Sequence, residues 1–427
     1  MEALLVFVFI VGYILIAVEH TIHLNKTATA LITGVLCWVI YILNTQNKDL
    51  VSSELAHHLA SISEILFFLL GAMTIVELID AHQGFKIITD KITSKNKVQL
   101  LWTISIITFF LSAALDNLTT AIVMVSVVRK LIKDKETRMF FAGIIIIAAN
   151  SGGAWSPIGD VTTTMLWIGG QVSALAIIKS LILPSLISLI VPLLFLTFRL
   201  KGEVQSPSTS IATYKDDSLS KKDSSMMLIV GFAMLLFVPI FKTITHLPPY
   251  MGVLLGLGVV WVVSEIIHHG RDEEYRKPYS VAHALSKIDT SSILFFLGIL
   301  LSIAALESTH FLSSLAEWMN KSIANQDIIV IVIGLFSAII DNVPLVAASM
   351  GMYDLAHFPM DSKLWEFLAY CAGTGGSILI IGSAPGVAVM GMEKIDFMWF
   401  FKKFSLLALI GYFAGIITYL SIYALLQ

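Results

Sequence analysis

The sequence predicts an all-α polytopic membrane protein, and three observations support this fold class. Hydrophobic residues make up 57% of the 427 residues and charged residues only 13%, with a mean hydropathy of +0.86, whereas soluble domains are about 45–50% apolar. Apolar runs long enough to cross a bilayer recur along the whole chain. Finally, the two halves of the chain contain matching motifs in the same order.

Ten apolar runs are long enough to span a membrane as helices. They are predicted at residues 3–19, 27–44, 61–81, 139–168, 175–200, 226–243, 249–268, 291–310, 363–392 and 397–425. Two further runs, 98–128 and 327–353, are interrupted by Asp-Asn pairs at Asp116 and Asp341. We expect each of these two runs to form a re-entrant hairpin whose polar tip lies near the middle of the membrane.

The distribution of positive charge predicts the orientation of the chain. When the N-terminus is placed outside, 22 of the 27 Lys and Arg residues fall on one side. Cytoplasmic loops carry the excess of these residues, so both termini are predicted on the periplasmic side. Residues 201–225, rich in Ser, Lys and Asp, are predicted to be a cytoplasmic linker between two transmembrane repeats at 1–200 and 226–427.

Three pairs of motifs relate the two predicted repeats. The matching segments are Ile65–Leu69 and Ile293–Leu297, Leu111–Asn117 and Phe336–Asn342, and Asn150–Asp160 and Gly373–Ser383. Each repeat contains five crossings, an odd number, so the second must be inverted relative to the first. Inverted repeats with broken helices are typical of secondary transporters, which predicts two re-entrant hairpins and two broken helices around a midplane site.

Aspartates at the two hairpin tips are the first candidate functional residues. A charged residue at the bilayer centre costs about 2.5–3.5 kcal/mol on insertion scales, so it indicates a function. Desolvation disfavours the ionised form of a carboxyl group, and near neutral pH Asp116 or Asp341 could hold either a proton or a cation. Such mutual exclusion is the minimal device for antiport. Asp160 is a third candidate, although its counterpart in the second repeat is Ser383.

Two glycine-rich segments, Asn150–Pro157 and Gly373–Pro385, interrupt apolar helices. Non-helical backbone at membrane depth requires protein or a water-filled cavity to satisfy its amides. Oxygen-bearing side chains there suit a hard cation: Asn150, Ser151 and Ser156 in the first segment, and Thr374, Ser377 and Ser383 in the second. Small residues also permit close helix packing, but the repeat symmetry and the adjacent carboxylates favour a cation site.

Four segments resemble NhaD-type sodium/proton antiporters, and together with the surrounding sequence the similarity covers nearly the whole chain. They are Phe68–Glu77, Ser112–Thr120, Asn150–Thr163 and Ser337–Pro344. The resemblance implies membership of the ion transporter superfamily, with a homodimeric scaffold, an elevator-like transport domain, and export of sodium, and often lithium, in exchange for protons. It also implies these ion-pathway residues: Glu64, Asp116, Asn117, Asn150, Asp160, Thr162, Thr163, Ser337, Asp341 and Asn342. Asp116, Asp341, Asp160 and Glu64 are the candidates for proton coupling, although an interfacial position at a span boundary explains Glu64 better than a role in the ion pathway.

Other functions stay open at this point. Arsenite or organic anion export on the same fold is one, although acidic tips would repel an anion. An intramembrane aspartyl protease with Asp116 and Asp160 is another, but it leaves Asp341 and the second repeat unexplained. We therefore predict a transporter rather than an enzyme, with no cofactor, with membrane lipid and a second copy of the chain as partners, and with no nucleic acid. The first apolar run shows neither a cleavage site nor a transit peptide, which favours a bacterial inner membrane and a role in pH and salt homeostasis.

Overall fold

The structure is a computed structural model, and it describes residues 2–17, 19, 24–89, 92, 94–200, 202–204, 220–323 and 325–426. Within these ranges the regular structure is helical apart from one isolated β-bridge between Asn96 and Glu203. The predicted linker at 201–225 lies mostly outside the described residues. Its last part is not linker, because a helix already begins at Lys221.

We number the α-helices in chain order. In the first half they are α1 Glu2–Ala17, α2 Lys26–Asn44, α3 Lys48–Ala81, α4 Lys86–Thr89, α5 Lys97–Ala114, α6 Asn117–Leu131, α7 Lys135–Ala154, α8 Val161–Ile168 and α9 Ala174–Arg199. In the second half they are α10 Lys221–Thr245, α11 Pro249–Ile267, α12 Glu273–Arg276, α13 Val281–Lys287, α14 Thr290–Ser308, α15 Phe311–Ile323, α16 Gln326–Phe336, α17 Asn342–Met352, α18 Lys363–Gly375, α19 Ala384–Glu393, α20 Phe397–Phe400 and α21 Leu406–Leu426. A 3₁₀ turn at Lys277–Tyr279 follows α12, and a π-helical segment at Phe401–Ser405 joins α20 to α21.

Nine of the described helical segments are long and apolar enough to cross a bilayer, and a tenth crossing is added if α15 and α16 form one bent span. The protein is therefore a multi-pass membrane protein. Helix α3 is longer than the predicted span at 61–81, because it begins at Lys48. Asn47 caps this earlier start by accepting a hydrogen bond from the backbone N–H of Leu50.

Two of the predicted spans are each divided into two helices. The run at 139–168 is interrupted between α7 and α8, and the run at 363–392 between α18 and α19. The first break contains Pro157 and Gly159, and the second contains Gly376 and Gly382, whereas Pro385 already lies in the first turn of α19. A polar residue begins the helix after each break, Asp160 for α8 and Ser383 for α19, and its side chain accepts a backbone N–H.

Helices α7 and α18 form the centre of the molecule. Every residue of α18 from Leu364 to Gly375 is buried, as is every residue of α7 from Phe140 to Ala154. The two helices pack against each other, and their C-terminal glycines allow close contact with the helix that precedes each tip. A Cβ atom at Gly152 would overlap the carbonyl oxygen of Phe109, and one at Gly375 would overlap that of Gly334.

Candidate ion-binding site

The carboxylate of Asp160 lies at the centre of a buried polar network. Its side chain is only 1% exposed. Asn117, from the first Asp-Asn pair, donates its Nδ2–H to Asp160 Oδ2 at 2.5 Å. Asn342, from the second pair, approaches Oδ2 at 3.4 Å and Oδ1 at 3.5 Å. The asparagines of the two tips therefore meet at one carboxylate supplied by the first broken helix.

Asp160 is also held by its own helix. Its Oδ1 accepts the backbone N–H of Thr162 at 2.8 Å and the hydroxyl of Thr162 at 2.7 Å. The Thr163 hydroxyl donates to the carbonyl oxygens of Ser156 and Asp160, which stabilises the non-helical backbone of the break. The first broken helix thus positions its carboxylate through neighbouring threonines.

Asn150 connects the two halves of the chain. Its Nδ2 donates to the hydroxyl oxygens of Ser377 and Ser383, both at 2.9 Å. Its Oδ1 accepts from Asn117 at 3.2 Å. Since Asn150 is fully buried, this amide joins the second broken helix to the same network as Asp160.

Asp116 and Asp341 each begin the helix that follows a tip, but their surroundings differ. Asp116 accepts the backbone N–H of Thr119 at 2.7 Å and the Thr119 hydroxyl at 2.6 Å. Asp341 accepts only the backbone N–H of Val343 among the described residues, at 3.5 Å. Both side chains line cavities, one of about 60 Å³ at Asp341 and one of about 20 Å³ at Asp116.

The other predicted site residues take structural hydrogen bonds or lie away from the centre. Ser337 donates to the carbonyl oxygen of Ala372, and Thr374 to that of Tyr370. Ser151 accepts from the Ser188 hydroxyl at 3.0 Å. The hydrogen bonds found around Asp160 and Asn150 do not include Glu64, which lies half-buried on α3.

The described residues contain no group of three or more His, Cys, Asp or Glu side chains arranged to hold a metal ion. The central network instead combines one carboxylate with amide, hydroxyl and backbone carbonyl oxygens. Such oxygen ligands suit a weakly held hard cation that must also leave again, rather than a soft transition metal.

Three residues of the Asp341 cavity did not emerge from the sequence motifs. They are Tyr13 and Glu19, at or beyond the end of α1, and Lys26 at the start of α2. They lie outside the three pairs of matching motifs, so the motif comparison carried no signal for them. The role of Thr119 was accessible, because a Thr three residues after an Asp at a helix start is a capping pattern.

Comparison with known proteins gives a consistent picture. The family model described as citrate transporter matches residues 13–365. Sodium/proton antiporter 1 of Arabidopsis thaliana is 52% identical over 417 residues, which cover 97% of this chain and 71% of that protein. Sodium/proton antiporter 2 of the same plant is 51% identical, and the match covers 97% of this chain and 98% of that protein. The Na(+)/H(+) antiporter NhaD of Alkalimonas amylolytica is 29% identical, and the match covers 97% of this chain and 89% of that protein.

The family and these relatives are transporters, not enzymes. The match extends through both Asp-Asn motifs and the first glycine-rich break, and in the plant relatives identity exceeds one half over nearly the whole chain. The chain therefore belongs to the citrate transporter family and, within it, to the NhaD-type sodium/proton antiporters.

Proposed function

We propose that the protein is a secondary active transporter that exchanges cytoplasmic sodium, and also lithium, for external protons, without a cofactor. The observation that carries this proposal is the buried Asp160 carboxylate, which receives one asparagine amide from each tip. A carboxylate in such a site can be neutralised by a proton or by a cation, and competition between the two couples their movements. Asp116 and Asp341 extend the path from Asp160 toward two separate cavities.

The helix starts around the site favour a cation. Four helices, α6, α8, α17 and α19, begin at the tips and breaks, and helix N-termini carry partial positive charge that would attract an anion. Three of these starts are capped by the chain's own carboxylates, Asp116, Asp160 and Asp341. These three positive helix ends are therefore already compensated before any substrate binds, and the fourth, at α19, is capped by the neutral Ser383.

Anion transport is the second candidate, because the matching family model is described as citrate transporter. Citrate or arsenite export would need cationic or uncompensated donor groups at the site. The partners in the network around Asp160 and Asn150 are carboxylate, amide and hydroxyl groups. This chemistry supports sodium over citrate.

We further propose that the two halves are inverted repeats, each with five crossings, a re-entrant hairpin and a broken helix, carried by a homodimeric scaffold in lipid. Matched hydrogen bonds support the repeat: Ser112 donates to the carbonyl oxygen of Ala149, and Ser337, its counterpart, donates to that of Ala372. A salt bridge between Glu393 and Arg129 is consistent with the predicted orientation, which places both on the cytoplasmic side and the termini outside. The bacterial inner membrane stays a prediction, since two of the relatives above are plant proteins.

The proposed cycle follows from these positions. In the inward-facing state the carboxyl groups release protons and bind sodium, the loaded domain crosses the membrane, and external protons displace the cation. Proton entry supplies about 2.3 kcal/mol per elementary charge per 100 mV, so a cycle that moves more protons than sodium ions is electrogenic.

Everted membrane vesicles with an acidic interior and a pH-sensitive dye test this proposal. Sodium or lithium added outside should dissipate the pH gradient in the wild type, whereas potassium and citrate should not. Asp160→Asn and Asp341→Asn should reduce the response to below about a tenth, because a neutral amide can exchange neither a proton nor a cation there. The matched control is Asp354→Asn, an exposed aspartate after α17, which should keep wild-type exchange.

The response pattern separates the candidate functions. Dissipation by citrate but not by sodium would replace the proposal with anion transport. Full exchange in Asp160→Asn would remove that carboxylate from the mechanism, provided that immunoblots show equal amounts of protein in the vesicles.

A further inference from the structure

The cavity at Asp341 is walled by charged groups from the N-terminal part of the chain. Besides Asp341, its wall includes Glu19, Lys26 and the ring of Phe295 from α14. Its volume of about 60 Å³ can hold a few water molecules, since a buried water needs roughly 10–15 Å³ of such space. The Tyr13 hydroxyl in the same wall is buried and has no hydrogen-bond partner among the described residues. An unpartnered buried hydroxyl indicates a place for a water or an ion.

Lys26 is the single cationic residue among the described residues that line this cavity. Its ammonium lies over the ring of Phe295, 4.8 Å from the centroid. It makes no salt bridge within the described part of the chain. The carboxylate of Glu19 accepts the backbone N–H of Lys26 at 3.0 Å, and both residues line this cavity.

Asp341 faces this cavity with little internal hydrogen bonding. In the first repeat, Thr119 donates both its backbone N–H and its hydroxyl to Asp116. The matching position in the second repeat is Pro344, and proline has neither group to donate. The Asp341 carboxylate is therefore left available to a mobile cation.

We propose that Lys26 is the counter-ion of Asp341 in the cation-free carrier and a determinant of cation specificity, because its ammonium competes with the transported ion for this carboxylate. The inference rests on the proposed sodium/proton exchange. With Asp341, Glu19 and Lys26 ionised, the wall carries a net charge of one negative unit, which matches one monovalent cation. The lysine stem is flexible and its ammonium is a compact point charge, so it can move between Asp341 and the ring of Phe295, over which it lies in this structure.

The test compares sodium-dependent exchange in everted vesicles of the wild type, Lys26→Met and Lys26→Arg at fixed pH. Removing the competing charge should lower the apparent KM for sodium by roughly tenfold in Lys26→Met without raising the maximal rate. Lys26→Arg keeps the charge and should stay within about twofold of the wild-type KM. Magnesium should inhibit Lys26→Met more strongly than the wild type, because the wall then carries two negative charges. The control is Lys48→Met, an exposed lysine in the first turn of α3, which should leave the KM unchanged.

An unchanged or raised KM in Lys26→Met would overturn the proposal while wild-type exchange stands. If no cation dissipates the gradient in the wild type, the proposed function fails instead.

The counter-ion role is then tested by sodium binding to purified protein, measured by thermal unfolding. The measured quantity is the sodium concentration that gives half of the maximal rise in Tm, with choline chloride as the reference salt. This concentration must fall in Lys26→Met, and a value equal to that of the wild type overturns the counter-ion role. Lys26→Gln replaces Lys26→Met, with the same criteria, if the methionine variant does not accumulate in membranes.

Discussion

At the scale of single residues, equivalent positions of the two halves have diverged chemically. Asp160 matches Ser383, and Thr119 matches Pro344. The first difference places the central carboxylate in the first half only, where Asn117 and Asn342 both reach it. The second difference leaves Asp341 without the capping bonds that hold Asp116. Matching motifs in the two halves therefore carry chemically different residues at the site.

His82, directly after α3, provides a prediction about pH and stability. It is fully buried, and its Nδ1 lies 2.7 Å from the carbonyl oxygen of Leu78, so Nδ1 must donate. Its Nε2 then accepts from Nε2 of His268, 3.0 Å away. Burial, together with the adjacent His268, lowers the pKa of His82 to about 4.

The pKa of a histidine in an unfolded chain is about 6.5. As the pH falls, His82 is therefore protonated at a higher pH in the unfolded chain than in the folded protein. The stability associated with neutral His82 is complete above pH 6.5 and declines as the pH falls toward 4, by at most about 3 kcal/mol. The Tm of the protein in detergent should therefore fall between pH 7.5 and pH 5, and fall less in His82→Gln. His269→Gln, at an exposed neighbouring position, should follow the wild type. If the Tm of His82→Gln showed the same pH dependence as that of the wild type, the loss of stability at low pH could not be assigned to His82.

At the scale of elements, the four helix starts explain how charged side chains persist at membrane depth. Asp116, Asp160, Asp341 and Ser383 each accept a backbone N–H at the start of a helix. Helix N-termini favour negative charge by about 0.3–1 kcal/mol each, and more in partly buried geometries. Broken helices therefore place ionisable groups and backbone dipoles in the same positions.

The glycines before the breaks give a prediction at this scale. Gly152→Ala and Gly375→Ala would each drive a methyl group into a backbone carbonyl oxygen, which cannot move aside as a flexible side chain can. We expect a loss of at least about 1–3 kcal/mol, seen as a lower Tm and less monodisperse protein in size-exclusion chromatography. Gly391→Ala, in α19, is the control, because its added Cβ atom meets nothing within 4 Å. A wild-type Tm in both Gly152→Ala and Gly375→Ala would show that α7 can move away from α5, and α18 away from α16, without cost.

At the scale of the whole molecule, Glu393 joins the two halves by salt bridges outside the site. Glu393, at the end of α19, is 3% exposed and accepts from Arg129 Nε at 2.6 Å and Arg138 Nε at 3.1 Å. These arginines belong to the first half, in α6 and α7. The salt bridges therefore fix α19 to α6 and α7.

Replacing Glu393 should weaken this connection. Glu393→Gln should reduce the free energy of unfolding by about 2 kcal/mol, less than for a fully buried pair, because Arg129 is 44% exposed. The measurement is thermal unfolding in detergent. Glu317→Gln, which removes an exposed ion pair with Lys321 at 3.6 Å, should cost less than about 1 kcal/mol. Equal effects of the two variants would contradict a structural role for Glu393.

The sequence by itself determined the membrane class, the helix breaks and the motif residues. Apolar run length, Asp-Asn pairs and glycine-rich segments are local properties, and each acts on the few residues around it. The tertiary structure alone decided which of these residues meet: Asn342 reaches Asp160 across 182 positions, and Asn150 reaches Ser383 across 233. Such contacts depend on how packed helices are rotated and offset, which is set by side-chain fit across the whole bundle and not by any local pattern. For the same reason Lys26, outside every motif, came to line the same cavity as Asp341 only in the folded chain.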